Sequence, residues 1–216
     1  SDMKPESWIK DAIPFTIDIK KINTIVPYYD KFYVIRDKVV SNDILFYGAM
    51  NRIENSQSAI WFIENVMTLL KGHNFRFVII GNKPPANLLK LANDEIIVTG
   101  FVDDPSTFFA KGLCLVAPLV LGAGIKVKIL EAMSSGIPVL TNNIGIEGIP
   151  AKDGHDYIHC ESPDEYANAI IKLYSGDINR HQLSDNAMKF INNEFDIVAS
   201  YAKYSNRIQE LLRGKA

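Results

Sequence analysis

The 216-residue sequence lacks an excess of either charge, with 23 Lys+Arg against 25 Asp+Glu and a net charge of −2. No basic field or lysine cluster therefore argues for nucleic acid as a partner. Cysteine is scarce: Cys114 and Cys160 are the two present, far apart and in or beside apolar segments. That usage favours reduced thiols over a disulfide framework. No apolar run is long enough to span a membrane, since Gly112–Ile125 falls short and Pro118 interrupts it. No signal-peptide pattern opens the chain, so a soluble, cytoplasmic protein is the expectation, with attachment to a membrane surface left open. Neither G-x-S-x-G nor a G-K-[ST] phosphate loop occurs. The histidines His73, His155, His159 and His181 are scattered, and no His/Cys/Asp/Glu spacing suggests a metal site. Asp103-Asp104, directly before Pro105, read as a turn and helix cap rather than as metal ligands.

What the chain does have is apolar content, 47%, enough to bury a sizeable core. From Asp43 onward, short Val/Ile/Leu-rich runs alternate with helical patterns. The runs are Ile44–Gly48, Phe75–Gly81, Glu95–Gly100, Leu113–Pro118, Ile137–Thr141 and Asp156–Cys160. Most are continuously apolar, as parallel strands covered on both faces should be. Ala59, Phe62, Ile63, Val66 and Leu70 share one helical face. Further helices are expected at Asn87–Ala92, around Pro105–Ala110 and from Gly124 to Ser135. Ser162, Pro163 and Glu165 have the spacing of a capping box. The pattern predicts an α/β fold, a Rossmann-like doubly wound parallel sheet with C-terminal helices. Residues 1–42, with one strand-like piece at Ile22–Val26, read as a lead-in or interdomain connection. Residues 43–178 form the sheet domain. Residues 179–216 are a helical wrap, two helices broken near Asn193.

The stretch Pro118–Gly148, "PLVLGAGIKVKILEAMSSGIPVLTNNIGIEG", places small residues, then lysines, then a carboxylate between two expected strands. In such sheets, ligands bind beyond the carboxyl ends of the strands. Gly122 and Gly124 allow close backbone approach, and the amides of Gly124, Ile125 and Lys126 would form an anion site at a helix N-terminus. Lys126 opposes the helix dipole there, which makes sense if a phosphate is present. Glu131, about 10 Å beyond Gly124 along a helix, would lean back toward that phosphate and accept ribose hydroxyls. A plain Lys128–Glu131 surface pair and simple turn glycines remain the alternative reading of the same residues.

In order along the chain, "ILFYGAMNRIENSQSAIWFIENV", "FVIIGNKPP", "VTGFVDDPSTFFAKGLCLVAPLVLGAGIK", "GAGIKVKILEAMSSGIPVLTNNIGIEGI" and "DGHDYIHCESPDEYANAIIKL" resemble the C-terminal domain of GT-B fold, family-four retaining glycosyltransferases ("glycosyl transferases group 1"). The resemblance implies a donor-binding half fold and a metal-independent transferase of hexosyl type, with no cofactor. The donor would be a nucleotide diphosphate sugar of UDP or GDP type, serving polysaccharide or glycoconjugate synthesis in a bacterium. Glu131 would hold the ribose hydroxyls, and the amides of Gly124, Ile125 and Lys126 the diphosphate. Lys126 and Glu131 would be the catalytic pair, and Gly122 would belong to the donor loop. Phe101 and Val102 would line the base pocket, and Gly48 would let the first loop close on the phosphates. Gly145 and Glu147 would lie near the donor.

The chain departs from that pattern in three ways. Ala123 stands where the family has its first glutamate. Ala49 and Asn55 stand near the family's Arg and Lys, which shifts charge neutralisation to Lys126, Lys128 or Arg52. The N-terminal acceptor domain is absent, so the isolated chain is expected to be inactive, with peripheral membrane association of the full enzyme left open. Two rival readings are a non-catalytic nucleotide-binding module pairing with a separate N-terminal half, and a nucleotide-sugar epimerase of the same fold. An NAD-dependent oxidoreductase fits less well, since "ILFYGAMNRIENS" lacks the glycine fingerprint.

Overall fold

The structure is a computed structural model that describes Val34, Arg36 and residues 40–213, apart from the side chains of Ala199 and Lys203. The expected strand at Ile22–Val26 and most of the lead-in lie outside the described residues. Among the described residues there are six strands: β1 (Asp43–Tyr47), β2 (Arg76–Ile80), β3 (Ile96–Gly100), β4 (Cys114–Ala117), β5 (Val139–Thr141) and β6 (Ile158–His159). They form one sheet in the order β3-β2-β1-β4-β5-β6, and every pairing is parallel. Each expected run becomes a strand, most of them shortened by one or two residues at an end and β1 starting one residue earlier, at Asp43.

The central strands carry the core. Ile44, Leu45 and Phe46 of β1 and all four residues of β4 are fully buried, which is why these runs are apolar without alternation. Helices fill the crossovers: α1 (Ile53–Phe62, continued by a π-helical turn to Met67), α2 (Ala86–Leu89), α3 (Ser106–Lys111), α4 (Val127–Ser135), α5 (Asn143–Ile146) and α6 (Pro163–Ser175). On one face, Phe62 of α1 packs against Phe77 of β2 and Tyr166 of α6, with centroid distances of 4.6 and 6.0 Å. The capping box at α6 forms as its spacing predicts: the Ser162 hydroxyl accepts from the Glu165 amide, and the Glu165 carboxylate accepts from the Ser162 amide. Asp104 accepts the Ser106 amide at 2.9 Å and its hydroxyl at 2.7 Å, the turn read from the sequence. Both cysteines are buried and unpaired.

One helical expectation needs correction. The helix placed at Gly124–Ser135 starts at Val127, because Gly124 takes a left-handed φ of 72° and Lys126 is extended. The tail forms the two expected helices, α7 (Arg180–Glu194) and α8 (Ile197–Arg213), broken at Phe195–Asp196. The described residues up to Asp196 form one compact unit, in which α7 packs along α4. The helix α8 belongs to a second unit; Val198, Tyr201, Ile208 and Leu212 are exposed on it.

Candidate functional site

The sheet order changes direction between β1 and β4, and crossovers leave the sheet on opposite sides there, opening a crevice at the carboxyl edge. A cleft of about 510 Å³ occupies this place. The end of β2, through Ile80, Gly81 and Asn82, and three loop segments build it.

The first is the loop from β1 to α1. Gly48 N–H donates to Ile80 O at 3.0 Å, and Met50 N–H to Asn82 O at 2.9 Å, so main-chain bonds clamp the loop onto the end of β2. The approach is so close that a Cβ on Gly81 would sit 1.7 Å from Gly48 O, and Gly81 has φ 156°. Only glycine fits there. The outer side of the loop, Gly48, Ala49 and Arg52, becomes a wall of the cleft.

The second segment runs from β4 to α4. Val120 N–H donates to Ser58 Oγ at 3.2 Å, and Asn142 Nδ2 to Leu119 O at 2.8 Å, which tie its first half to α1 and α5. Gly122, Ala123, Ile125, Lys126, Val127, Lys128 and Glu131 then line the cleft. The N-terminus of α4 has no side-chain cap, so its first amides face the cleft with the positive end of the helix dipole behind them. From the N-cap Lys126, Glu131 lies about 7.5 Å up the axis, nearer the helix end than the 10 Å obtained by counting from Gly124. Tyr47, at the end of β1, also lines the cleft. Burial, and then the Glu131 charge, raise its phenol above the usual range.

The third segment is the turn after β3, which supplies Phe101 and Val102. Phe101 is 74% exposed, so it is no core residue. An exposed aromatic at the mouth of a cleft offers a flat apolar surface to a planar ligand group.

The lysines divide sharply. Lys126 Nζ donates to Gly124 O at 2.5 Å and lies 3.3 Å from the Glu147 carboxylate, which also accepts the Gly124 N–H at 2.8 Å. The chain's own acid thus takes one of the amides and the lysine expected to meet an anion. Lys128 turns to α1 instead of pairing along its helix. Its ammonium donates to Asn55 Oδ1 and lies 4.9 Å from the Phe46 ring centroid. Burial is the main cause that pushes its pKa down to about 8. Arg52 pairs with Glu54 at 3.3 Å. Gly145 is buried, and a Cβ there would lie 1.9 Å from Thr141 Oγ1, which gives it a packing role.

Of the expected site residues, Gly48, Phe101, Val102, Gly122, Ile125, Lys126 and Glu131 line this cleft; Gly124 lies in the loop between Gly122 and Ile125 without lining it, and Gly145 and Glu147 do not line it either. Tyr47 and Asn82 also line the cleft without having been expected there, and Asn55, noted in the sequence only as a departure from the family's basic residues, lines it too. Asn82 Oδ1 is buried in the cleft wall without a hydrogen-bond partner among the described residues. The histidines stay outside the cleft; His155 pairs with Asp156 at 2.7 Å and His159 with Glu161 at 3.2 Å. Among the described residues, no His/Cys/Asp/Glu group is arranged to hold a metal, and no helix is long and apolar enough to cross a membrane.

The chain is similar to known proteins in sequence and in fold. An uncharacterized 44.6 kDa protein in the cps region of Klebsiella pneumoniae is 26% identical over 200 residues, which is 88% of this chain and 48% of that protein. The chain therefore spans about half the length of the curated relative it matches. The structure of a point mutant of S. aureus TarM, in complex with fondaparinux, alpha-GlcNAc-glycerol and UDP, superposes with a TM-score of 0.70 at 18% identity, over 88% of this chain and 40% of that one. The C-terminal domain of a glycosyl transferase group 1 family protein, LpcC of Francisella tularensis, superposes with a TM-score of 0.59 at 21% identity, over 77% of this chain and 96% of that domain. At such identities these structures show a common fold, and they bear out the expected Rossmann-like half of a GT-B fold. The model of the family "Glycosyl transferases group 1" matches residues 41–176, the whole sheet with its cleft. The chain belongs to the glycosyl transferases group 1 family.

Proposed function

We propose that this chain is the donor-binding half of a retaining glycosyltransferase, holding a nucleotide diphosphate sugar while an acceptor domain outside this chain presents the acceptor. The observation that carries this reading is the cleft itself: an uncapped helix N-terminus and a sunken lysine at one end, with a carboxylate one turn further along the same helix. In this reading the diphosphate lies against the first amides of α4 and beside Lys128. Glu131 accepts hydrogen bonds from the ribose hydroxyls. Phe101 covers the base, and main-chain groups of the Phe101–Val102 turn read its edge.

Catalysis follows from where charge develops. As the glycosyl bond breaks, negative charge grows on the leaving diphosphate, and fixed amides and ammonium groups stabilise it without reorganising. Lys126 joins them once the Glu147 carboxylate yields it. The UDP named in the TarM complex and the family membership support a nucleotide ligand. Calorimetric titration with UDP, GDP and ADP tests the reading. One diphosphate is expected to bind with micromolar to millimolar affinity, weakened severalfold by Glu131→Ala. Unchanged affinity in Glu131→Ala, or no binding of any of the three, would overturn it.

A further inference from the structure

Lys128 is a part-buried cation whose hydrogen-bond partner is neutral. Its ammonium donates to Asn55 Oδ1, and Asn55 is held in that orientation because its Nδ2 donates to Ala49 O at 2.9 Å. Beneath it is the Phe46 ring. The charges around it cancel poorly. Lys126 on its own helix and Arg52 before α1 repel it, while Glu54 attracts it; Glu54 is itself shared with Arg52 at 3.3 Å. Glu131 and Tyr47 complete the ionisable groups that line the cleft beside it. No carboxylate lies within ion-pair distance of its ammonium among the described residues. A lysine so placed resists carrying its charge until an anion arrives.

We propose that binding of a nucleoside diphosphate draws a proton onto Lys128, which makes donor binding in this cleft a proton-uptake reaction. This inference rests on the donor-binding reading above. The direction follows from linkage. Burial holds the free lysine's pKa near 8, so a growing fraction is neutral as pH rises past that value. The bound anion restores the usual lysine range, and the complex keeps its proton. At pH 7.0 the free protein is already about nine-tenths protonated and binding takes up about 0.1 proton. At pH 8.5 it is about one-quarter protonated, uptake rises to about 0.75 proton, and affinity falls about fourfold. The ligand's own share is small and runs the other way: with a pKa near 6, a terminal phosphate still carries about 0.1 proton at pH 7.0 and almost none at pH 8.5, so the uptake at pH 8.5 is the one that reports on Lys128. Tyr47 does not contribute, since its phenol is displaced upward.

The test is calorimetry of UDP, GDP and ADP at pH 7.0 and 8.5, each in two buffers of different ionisation enthalpy, on the wild-type chain, Lys128→Arg and Lys128→Met. Arginine stays charged throughout, so Lys128→Arg is expected to bind with a flat pH profile and no proton uptake. Lys128→Met is expected to bind at least tenfold more weakly at pH 7.0, also without uptake. Binding by the wild type with equal affinity at both pH values and no uptake would overturn the inference and leave the nucleotide site standing. Uptake that persists in Lys128→Arg would overturn it too, because the proton then goes elsewhere. If none of the three diphosphates binds at either pH, the donor-binding reading falls and takes the inference with it.

Discussion

Replacing Lys128 by methionine should stabilise the free protein. Methionine keeps most of the side chain's length and its contact with Phe46 while removing a charge that the cleft does not neutralise. The lysine's pKa is lowered from 10.5 to about 8, a difference that corresponds to about 3 kcal/mol against the folded state at pH 7. Loss of the bond to Asn55 offsets about 1 kcal/mol of that, leaving a net gain of about 2 kcal/mol. For a chain of this size the gain appears as a rise in Tm of about 4–8 °C. The sign has a pH signature. Below pH 8 the lysine is charged in both folded and unfolded chains, and the penalty is present in full. Between about 8 and 10.5 the folded protein releases the proton while the unfolded chain keeps it, so wild-type stability rises with pH and the penalty falls to about 1 kcal/mol by pH 10. Thermal unfolding of the two proteins, compared at pH 7 and pH 10, reads both effects. An unchanged or lower Tm for Lys128→Met at pH 7 would refute the reasoning. So would a stabilisation equal at both pH values, because its origin would then be packing rather than charge.

Other perturbations test the rest of the cleft and its frame. Glu147→Ala frees the Gly124 amide and Lys126 and should tighten nucleoside diphosphate binding about two- to fivefold; weaker binding would mean that Glu147 assists the ligand rather than competing with it. Phe101→Ala should weaken nucleotide binding severalfold with Tm unchanged within a degree or so, since the ring is mostly exposed; a large loss of stability would contradict the surface role. Gly81→Ala places a Cβ 1.7 Å from a carbonyl oxygen and should cost about 3 kcal/mol or more in denaturant unfolding, with a loss under 1 kcal/mol counting against the close approach. Ser162→Ala removes one side of the capping box and should cost about 1 kcal/mol, visible as a lower denaturant midpoint at unchanged slope.

Much of the fold was legible because buried parallel strands leave a direct mark: β1 and β4 need apolar residues on both faces, and their runs have them. The α6 start was equally plain, since a capping box is a local device with fixed spacing. The start of α4 was not. Glycine fits a helix or a left-handed turn, and the choice at Gly124 depends on a carboxylate 23 residues on. No periodicity carries that information. The same limit hid the Lys128–Asn55 bond, whose partners are 73 residues apart. Residue types in the Gly122–Glu131 stretch are those an anion site would use, while the partner each lysine takes arises from the tertiary fold.

That pairing changes which lysine in the cleft is left without a balancing charge. A lysine beside a helix N-terminus implied an anion because the charge opposed the dipole, and Lys126 was the residue concerned. In the folded chain Glu147 answers that charge, so Lys126 no longer requires a ligand to explain it. Lys128 has taken over the unexplained part: it lies two residues further on, within the first turn, and its partner is an amide oxygen. The dipole, Lys126 and Arg52 all act against it, and Glu54 alone among the causes of its shift favours its charge. A cation kept in such a place at a cost to stability makes physical sense when an anion completes its surroundings. Of the two lysines, Lys128 is therefore the one whose charge a phosphate in this cleft would balance, and Lys126 already has Glu147.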